Sequence, residues 1–220
     1  ASLYADDTEI YASSENCSDL IPILNEDLKN ISRWMSKNKL QIHPTKSKYM
    51  FIGSSYKIRN NTCNQPILIN NTPVPRVTNY KCLGVNLDDK LCWDSHIEMI
   101  CKNVAAGIAA IKRVKPFVPP EMLKVIYNAL VQPYFDYCSP LWDNCGIGLK
   151  EKLQKYQNRA ARILTGATYD IRTADVFETL AWKTLEKRRD YLKSIFMYKI
   201  LNNLAAPNLN CMFHKMSNCP

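Results

Sequence analysis

The sequence predicts a mixed α+β chain, with short strands in its first 90 residues and helices after them. Three observations support this prediction. Two short apolar runs flank a polar turn near the start, a helical period begins at Ser18, and helical periods dominate from about residue 95. With 220 residues, 46% of them apolar, the chain can bury a core, and it has no apolar run long enough to cross a bilayer.

The amino end predicts a hairpin followed by one long helix. Residues 3–5 and 9–12 are short β-favouring runs around a polar turn, which is typical of a tight hairpin. From Ser18 the apolar residues recur every three or four positions, as on one face of a helix. We expect this helix to stop near Asn38, because asparagine tolerates the left-handed backbone found at helix ends.

Three further strands are predicted before residue 90. They cover residues 48–52, 67–69 and 80–87, and each is rich in β-branched, aromatic or other apolar side chains. Asn70 and Asn71 predict a turn after the second strand, with an edge segment behind it that contains two prolines.

The remainder of the chain is predicted to be helical. A capping-box pattern, S-x-x-E, begins at Ser95, and Pro120 opens the next helix, which Pro133 is expected to end. Three more helices are predicted at residues 149–164, 173–180 and 182–203. The tryptophans lie on or beside apolar patterns and are predicted to be core residues, and two histidines are predicted to be local hydrogen-bonding groups: Trp34, Trp93, Trp142, Trp182, His43 and His96.

Nine cysteines, an odd number with no C-x-x-C spacing, argue against a disulfide framework. A reducing intracellular compartment, nucleus or cytoplasm, therefore fits best. Cys211, His214 and Cys219 lie near one another, but they supply only three zinc ligands at an unusual spacing. Free thiols are the simpler interpretation.

Basic charge is concentrated towards the carboxyl end. The formal net charge of the chain is +9, and residues 146–220 hold thirteen basic against six acidic groups. Such a concentration indicates a polyanion, most commonly nucleic acid. One helix face and the following region supply the candidate phosphate contacts Lys152, Lys155, Arg159, Arg162, Lys183, Lys187 and Arg188. An ordinary solvated helix face is the alternative interpretation of the same pattern.

Asp6 and Asp7 are adjacent carboxylates in the predicted hairpin turn. Paired carboxylates suit Mg²⁺, which prefers one or two of them together with substrate phosphates and water. Two-metal phosphoryl transfer uses such a pair. The alternative is a β-turn in which the aspartates bond only to nearby backbone.

Several motifs in order resemble the reverse transcriptases of non-LTR retrotransposons. Residues 4–7, Tyr-Ala-Asp-Asp, resemble the Y-x-D-D signature, and residues 80–85 resemble the [YF]-x-x-L-G primer-grip strand. Residues 34–47 resemble the pattern W-x-x-x-N-x-L-x-x-N-x-x-K-[ST], with His43 in place of the second Asn. Later segments are similar to the thumb and following region of jockey-like elements, namely residues 133–142, 153–162 and 180–189.

The resemblance implies a fold and an activity. Residues 1–90 would be part of a polymerase palm, residues 91–145 a helical thumb, and residues 146–220 a basic helical region behind it. The parent protein would be an RNA-directed DNA polymerase that acts by two-metal nucleotidyl transfer. Its partners would be an RNA template, a DNA primer and deoxynucleoside triphosphates, with Mg²⁺ as cofactor.

The resemblance also implies residue roles. Asp6 and Asp7 would be the catalytic metal ligands, and Lys46 would lie near the leaving pyrophosphate. The residues near the primer end or its backbone would be Tyr4, Ala5, Leu83 and Gly84.

Family polymerases also need fingers and a third carboxylate upstream of Y-x-D-D, and the sequence lacks an initiator Met. Asp88, Asp89 and Asp94 remain open as substitutes on spacing alone. We therefore expect a piece of a longer protein that is inactive by itself. The alternatives are a basic helical nucleic-acid-binding module without catalysis and a decayed sequence that makes no folded product.

Overall fold

The computed structural model describes residues 2–4, 7–43, 45–60 and 65–213, and the fold is stated for these residues. Among the residues singled out from the sequence, Ala5, Asp6, His214 and Cys219 lie outside them. The chain divides into two units, residues 1–91 and 92–220. Helices and antiparallel strands are both present, as an α+β chain requires. No described helix has the length and apolar character to span a membrane.

The first unit combines one long helix with three small hairpins. The hairpins pair β1 with β2, β3 with β4, and β5 with β6, all antiparallel. In chain order the elements are β1 Ser2–Tyr4, β2 Asp7–Glu9, α1 Cys17–Lys37, α2 Ser55–Arg59, β3 Leu68–Ile69, β4 Thr72–Pro73, β5 Asn79–Cys82 and β6 Val85–Asp88.

The long helix α1 confirms the prediction from helical spacing. It ends before Asn38, whose backbone amide donates to carbonyls of the last turn. Its apolar face buries Ile21 against Ile67, Ile69 and Val74 of the β3–β4 hairpin. Asn25 links α1 to the start of β3, because its side-chain oxygen accepts a hydrogen bond from the backbone amide of Leu68 at 2.9 Å. This small core joins α1 to the hairpin.

Two strand predictions are wrong. Residues 48–52 form no strand, and only Tyr49 makes a single bridge, to Arg76. The predicted strand 80–87 is a hairpin in which Cys82 pairs with Val85 across a two-residue turn. That turn has φ of 44° at Leu83 and 87° at Gly84. Positive φ at both central residues matches the right-handed twist of the flanking strands, so the chain reverses where its apolar run suggested continuation.

The second unit is helical within its described residues. Its elements are α3 Asp94–Val114, a 3₁₀ turn Lys115–Phe117, α4 Pro120–Leu130, α5 Gln132–Asp136, α6 Ser139–Trp142, α7 Ile147–Thr165, α8 Thr173–Leu180, α9 Leu185–Leu201 and α10 Pro207–Asn210. Pro133 lies in the first turn of α5 and does not directly end α4, as the sequence had suggested. Helix α7 packs on both α3 and α4, so the regions predicted as 91–145 and 146–220 share one unit.

The tryptophans separate into buried and exposed positions. Trp93 and Trp142 are buried as predicted. Trp182 is half-buried, whereas Trp34 is 58% exposed and its predicted core position is wrong. Each helical residue turns by about 100°, which places Trp34 beside the apolar stripe of α1. His43 bonds to Thr45 at 2.9 Å, which confirms its predicted local role.

A carboxylate on the linker after α6 ties α9 to the unit. Asp143 accepts hydrogen bonds from Arg189 and Lys193, both at 2.6 Å, and Lys150 lies 3.4 Å away. Burial alone would raise the pKa of Asp143, but the hydrogen bonds from Lys193 and Arg189 outweigh it and lower that pKa. Arg189 is almost fully buried, so this carboxylate neutralises a cation in the interior.

The contact between α3 and α4 requires a residue without a side chain. A Cβ at Gly107 would lie 2.9 Å from Val131 Cγ2 and 3.0 Å from the Leu130 carbonyl oxygen.

We expect Gly107→Ala to destabilise the unit by about 1–3 kcal/mol, although alanine favours helices by about 1 kcal/mol. Urea unfolding measures the change. The matched control is Gly148→Ala in α7, where nothing lies within 4 Å of the new Cβ and no loss of stability is expected. Equal effects would contradict the close contact.

His96 predicts a pH dependence of stability. It is buried between Trp93 and Trp142, and burial lowers its pKa below the ordinary value of 6.5. The unfolded chain therefore takes up a proton that the folded chain resists, and stability should fall as the pH drops below about 6.5. The slope is at most about 1.4 kcal/mol per pH unit.

Urea unfolding between neutral and mildly acidic pH measures this slope. We expect His96→Phe to flatten it, whatever its effect on stability at neutral pH. His43→Gln, at an exposed histidine, is the matched substitution for comparison. An unchanged slope in the His96 variant would contradict the assignment.

Candidate functional site

The acidic hairpin presents carboxylates from strand β2. Tyr4 pairs with Asp7 across the hairpin, and both side chains are exposed. Glu9 lies two residues beyond Asp7 on the same strand, so the two carboxylates share one face. Ala5 and Asp6, between the paired strands, lie outside the described residues. The face that carries Asp7 thus contains a second acidic group that the sequence motif did not indicate.

This acidic face lies against the β5–β6 hairpin. The Cys82 thiol donates to Glu9 Oε1 at 2.6 Å. Partial burial raises the pKa of the Tyr80 phenol, and the nearby groups Asp7, Cys82 and Glu9 raise it further. Two motifs more than seventy residues apart in sequence are therefore neighbours in the first unit. Tyr80 and Cys82 are two positions apart on β5 and therefore share the face that meets β2. This period of two is the sequence signal that could have identified them as neighbours of one site.

The tip of the β5–β6 hairpin holds Leu83 and Gly84, both exposed. Leu83 has a φ of 44°, a left-handed conformation that is unfavourable for an L-residue by about 1–2 kcal/mol. Gly84 adopts its φ of 87° without a Cβ penalty. The turn therefore projects a strained apolar side chain into solvent beside a residue that permits close backbone approach.

Lys46 lies in the loop after α1 and is exposed. Its backbone amide donates to the His43 carbonyl at 3.1 Å, which holds a local turn. Within the described residues its ammonium makes no ion pair with Asp7. The predicted role of Lys46 near a leaving group stays a prediction.

The described residues do not form a complete metal site. Nowhere in the described part of the chain do three His, Cys, Asp or Glu side chains converge to hold an ion. Asp7 is an exposed carboxylate at a hairpin turn and offers the hard oxygen ligand that Mg²⁺ prefers. Asp7 thus supplies one ligand of the chemical kind that a magnesium site needs.

Helix α7 presents a row of cations opposite its buried face. Leu153, Gln157, Ala160, Ala161 and Leu164 are buried. On the other side Lys152, Lys155 and Arg159 are exposed, and they form no ion pair with any described carboxylate. This confirms the amphipathic pattern that the spacing predicted, and it leaves three positive charges facing solvent.

Arg162 shares the spacing of this row but has structural partners. Its guanidinium donates to the carbonyls of Thr168 and Ile171 at 2.5 and 2.8 Å, and to Thr173 Oγ1 at 3.2 Å. It also lies over the ring of Tyr169. Arg162 therefore holds the loop between α7 and α8.

The cations around α9 also divide into two kinds. Arg188 forms a bidentate pair with Asp136 at 2.5 and 2.6 Å. Lys187 is exposed, and the Lys183 ammonium lies 5.9 Å from the ring centre of Tyr191. Arg188 is thus held in place, whereas Lys183 and Lys187 remain accessible at the surface.

Comparisons with known proteins place the chain beside retrotransposon polymerases. It is 22% identical over 189 residues to a protein named as the probable RNA-directed DNA polymerase from transposon BS of Drosophila melanogaster, covering 84% of this chain and 20% of that protein. It is 24% identical over 206 residues to the RNA-directed DNA polymerase from mobile element jockey of the same organism, covering 90% and 21%.

A third relative is the Pol polyprotein from the type-1 retrotransposable element R1 2 of Nasonia vitripennis. It is 22% identical over 147 residues, covering 63% of this chain and 35% of that protein. No protein-family model matches the chain, and no solved structure matches it. The chain spans about a fifth to a third of the length of these relatives. They confirm the resemblance that the ordered motifs predicted: the chain is related to the RNA-directed DNA polymerases of non-LTR retrotransposons.

Proposed function

We propose that the chain carries catalytic-hairpin, primer-grip and thumb segments of an RNA-directed DNA polymerase. The observation that carries the proposal is the proximity of the two hairpins, through the contact between Cys82 and Glu9. A polymerase needs its metal-binding carboxylates close to the strand that holds the primer. The arrangement in the first unit meets this need, although the two motifs are far apart in sequence.

In this proposal Asp6 and Asp7 are the catalytic residues that would hold Mg²⁺. When bound, the ion activates the attacking oxygen and stabilises charge on the leaving group. The carboxylate of Asp7 is exposed and has no other described ion-pair partner, so it is available for such a role. Lys46 would offset charge on the pyrophosphate as it leaves, or donate a proton to it.

The hairpin tips would position the primer. Tyr4 and Ala5 would line the site near its end, and Leu83 and Gly84 would contact its backbone. The strained, exposed conformation of Leu83 supports a contact with a molecule outside the chain, because such strain is often retained where it serves binding. Gly84 supports close approach of a phosphate, since its position carries no side chain.

The second unit would hold the template–primer duplex by charge. Lys152, Lys155 and Arg159 face solvent from one helix and suit phosphate contacts that do not depend on base sequence. This assignment makes residues 92–220 the thumb and the basic region that follows it.

We further propose that the 220-residue chain is inactive alone. Two-metal transfer requires carboxylates beyond Asp6 and Asp7, and within the described residues no three His, Cys, Asp or Glu side chains converge on one point.

Paramagnetic Mn²⁺ tests the carboxylate site directly. We expect Mn²⁺ to broaden the backbone NMR signals of β2 and, because the hairpins are neighbours, those of Tyr80 and Cys82 as well. Asp7→Asn should remove most of this broadening, since a neutral amide is a poor ligand for a hard cation. The matched control is Asp19→Asn at the start of α1, another exposed aspartate. Selective broadening elsewhere, with none at β2, would overturn the metal assignment.

Primer extension on a poly(A) template with Mg²⁺ or Mn²⁺ tests the claim of inactivity. We expect no incorporation by the chain alone. Incorporation that disappears in Asp6→Asn would overturn the claim of inactivity and would at the same time establish the catalytic role of that residue.

A nucleic-acid-binding module without catalysis is the second candidate function. The observation that favours it is the exposed, unpaired row on α7 together with the incomplete metal site. This candidate predicts duplex binding with no response of β2 to Mn²⁺. The two functions therefore share the second unit and differ at Asp7.

Variants of Arg159 and Arg162 distinguish a role in nucleic-acid binding from a role in stability. Both belong to the predicted basic row, but only Arg162 has structural partners. We expect Arg159→Ala to weaken binding of an RNA/DNA duplex without changing the urea midpoint, and to lower the salt slope by about one. Arg162→Ala should lower the midpoint, since it leaves the carbonyls of the 166–173 loop without their donor. Fluorescence anisotropy at several salt concentrations measures binding. Equal effects of the two variants on both properties would contradict this division.

A further inference from the structure

The second unit contains a groove whose lining includes Lys183 and Arg188, two of the predicted phosphate contacts. Its volume is about 710 Å³, within the usual range for ligand sites. Helices α4 and α5 form one side, and the turn between α8 and α9 with the start of α9 forms the other. The residues that matter here are Lys124, Asp136, Trp182, Lys183, Arg188 and Tyr191.

Buried amides hold the α8–α9 turn in position. Gln157 is 2% exposed, and its side-chain amide donates to the Lys183 carbonyl at 3.1 Å. Gln154 donates to Gln157 and accepts from the backbone amide of Leu185 at 3.0 Å. These bonds fix both the turn and the first residue of α9. The side of the groove that carries Lys183 is thus built into the helical core.

Aromatic packing and an ion pair join the two sides of the groove. The Trp182 ring lies 4.3 Å from the Tyr127 ring and meets Phe177 edge to face. Arg188 is clamped by Asp136, which also accepts a hydrogen bond from Gln132 at 2.8 Å. A guanidinium held by two bonds to a carboxylate stays planar and in one orientation. It therefore offers a rigid flat surface beside the groove.

Tyr191 is the accessible aromatic ring of this groove. It is 57% exposed, so its ring faces are open to a ligand. The Lys183 ammonium lies 5.9 Å from its ring centre. Lys183 and Lys124 are exposed, so the groove holds three cations against the single carboxylate of Asp136. A flat ring, a rigid guanidinium and excess positive charge occur together.

We propose that this groove binds an unpaired, single-stranded segment of nucleic acid. A base would stack on Tyr191, the neighbouring phosphates would meet Lys183 and Lys124, and Arg188 would offer a second planar surface. Unpaired bases present their faces to aromatic rings, whereas bases inside a duplex do not. The groove therefore takes a single strand, in contrast to the exposed cation row on α7, which suits duplex phosphates.

Nucleic acid fits this groove better than an acidic peptide. An acidic peptide would use the lysines, but it would gain nothing specific from an exposed tyrosine ring beside a fixed guanidinium. A single strand uses both the charge and the flat surfaces. The inference rests on the proposed function only in that the partner is nucleic acid, and it needs neither the metal site nor polymerase activity.

Binding of the full chain to a labelled thymidine dodecamer tests the proposal, with an abasic strand of equal phosphate number for comparison. We expect the abasic strand to bind more weakly, because it keeps the charge and loses the stacking. Tyr191→Ala should weaken binding of the thymidine strand about five- to hundredfold and leave binding of the abasic strand nearly unchanged. Tyr191→Phe should restore it. Tyr198→Ala, an exposed tyrosine two turns further along α9 and outside the groove, is the matched control.

Lys183→Gln provides an independent variant, because it keeps the ring. This substitution should weaken the binding of both strands alike. It should also lower the salt slope of binding by about 0.7, the value for one phosphate contact on a single strand. Equal affinity of the two strands for the unaltered chain would overturn the proposal, whatever the variants do. So would displacement of the thymidine strand by polyglutamate at equal charge concentration, which would assign the groove to acidic peptides.

The outcomes are distinguishable from those of the proposed function. Loss of Mn²⁺ broadening at β2 leaves single-strand binding untouched, because the two sites lie in different units. Conversely, a failure of Tyr191→Ala to alter single-strand binding would overturn the groove assignment and leave the hairpin site standing.

Discussion

The pairing of Asp143 with cations of α9 is the constraint on which the second unit depends. Arg189 is 3% exposed, and a guanidinium taken out of water needs a counter-ion to remain there. Asp143 supplies it at 2.6 Å and holds Lys193 at the same distance. Removing the carboxylate would leave a buried cation uncompensated, a loss of about 3–5 kcal/mol. The pair therefore decides where α9 lies.

The position of α9 in turn places the surface features. Arg189 faces inward towards Trp142, so its neighbour Arg188 reaches Asp136 on α5. Tyr191, two residues after Arg189, lies at the groove and is exposed to solvent. One buried charge thus sets the rotation of the helix, and the rotation determines which side chains meet the core, the neighbouring helix and a ligand.

Internal pairing of this kind reduces the basic charge that is available to a ligand. Residues 146–220 have thirteen basic groups, yet several of those described are occupied within the chain. Asp143 engages Lys150, Arg189 and Lys193, Asp136 engages Arg188, and the 166–173 loop engages Arg162. Net charge therefore overstates the charge available to phosphate. The exposed row of Lys152, Lys155 and Arg159 is part of the basic charge that forms no ion pair within the described residues.

The sequence predicted features that depend on local periodicity. Helices α1 and α3 were predictable because apolar residues recur every three or four positions over twenty-one residues in each. The sequence predicts a single strand over residues 80–87, where the structure has the β5–β6 hairpin. The turn Leu83-Gly84 lacks the Asn-Gly or Asp-Gly pair that usually indicates such a reversal. A leucine in a left-handed conformation gives no local signal. Tertiary contacts, and not propensity, determine it.

Features assembled from distant segments had no sequence signal of their own. Arg162 and Arg159 occupy equivalent positions in the spacing pattern, and only the fold of residues 166–173 gives Arg162 its partners. The groove combines α4, α5, α7, the α8–α9 turn and the start of α9, so no window of sequence contains it. By contrast, the motifs at residues 4–7 and 80–85 could be found from sequence because a family resemblance, and not local physics, indicated them.

The small hairpins of the first unit explain why those two motifs must be neighbours. An isolated two-stranded hairpin is at most marginally stable in water, and the described strands form only two-stranded sheets. The β1–β2 hairpin has just three paired positions, so it depends on contacts outside itself. The Cys82–Glu9 hydrogen bond and the proximity of Tyr80 to Asp7 provide them. The contact that stabilises the acidic hairpin therefore also fixes Asp7 and Glu9 beside strand β5, and stability and site geometry have one cause.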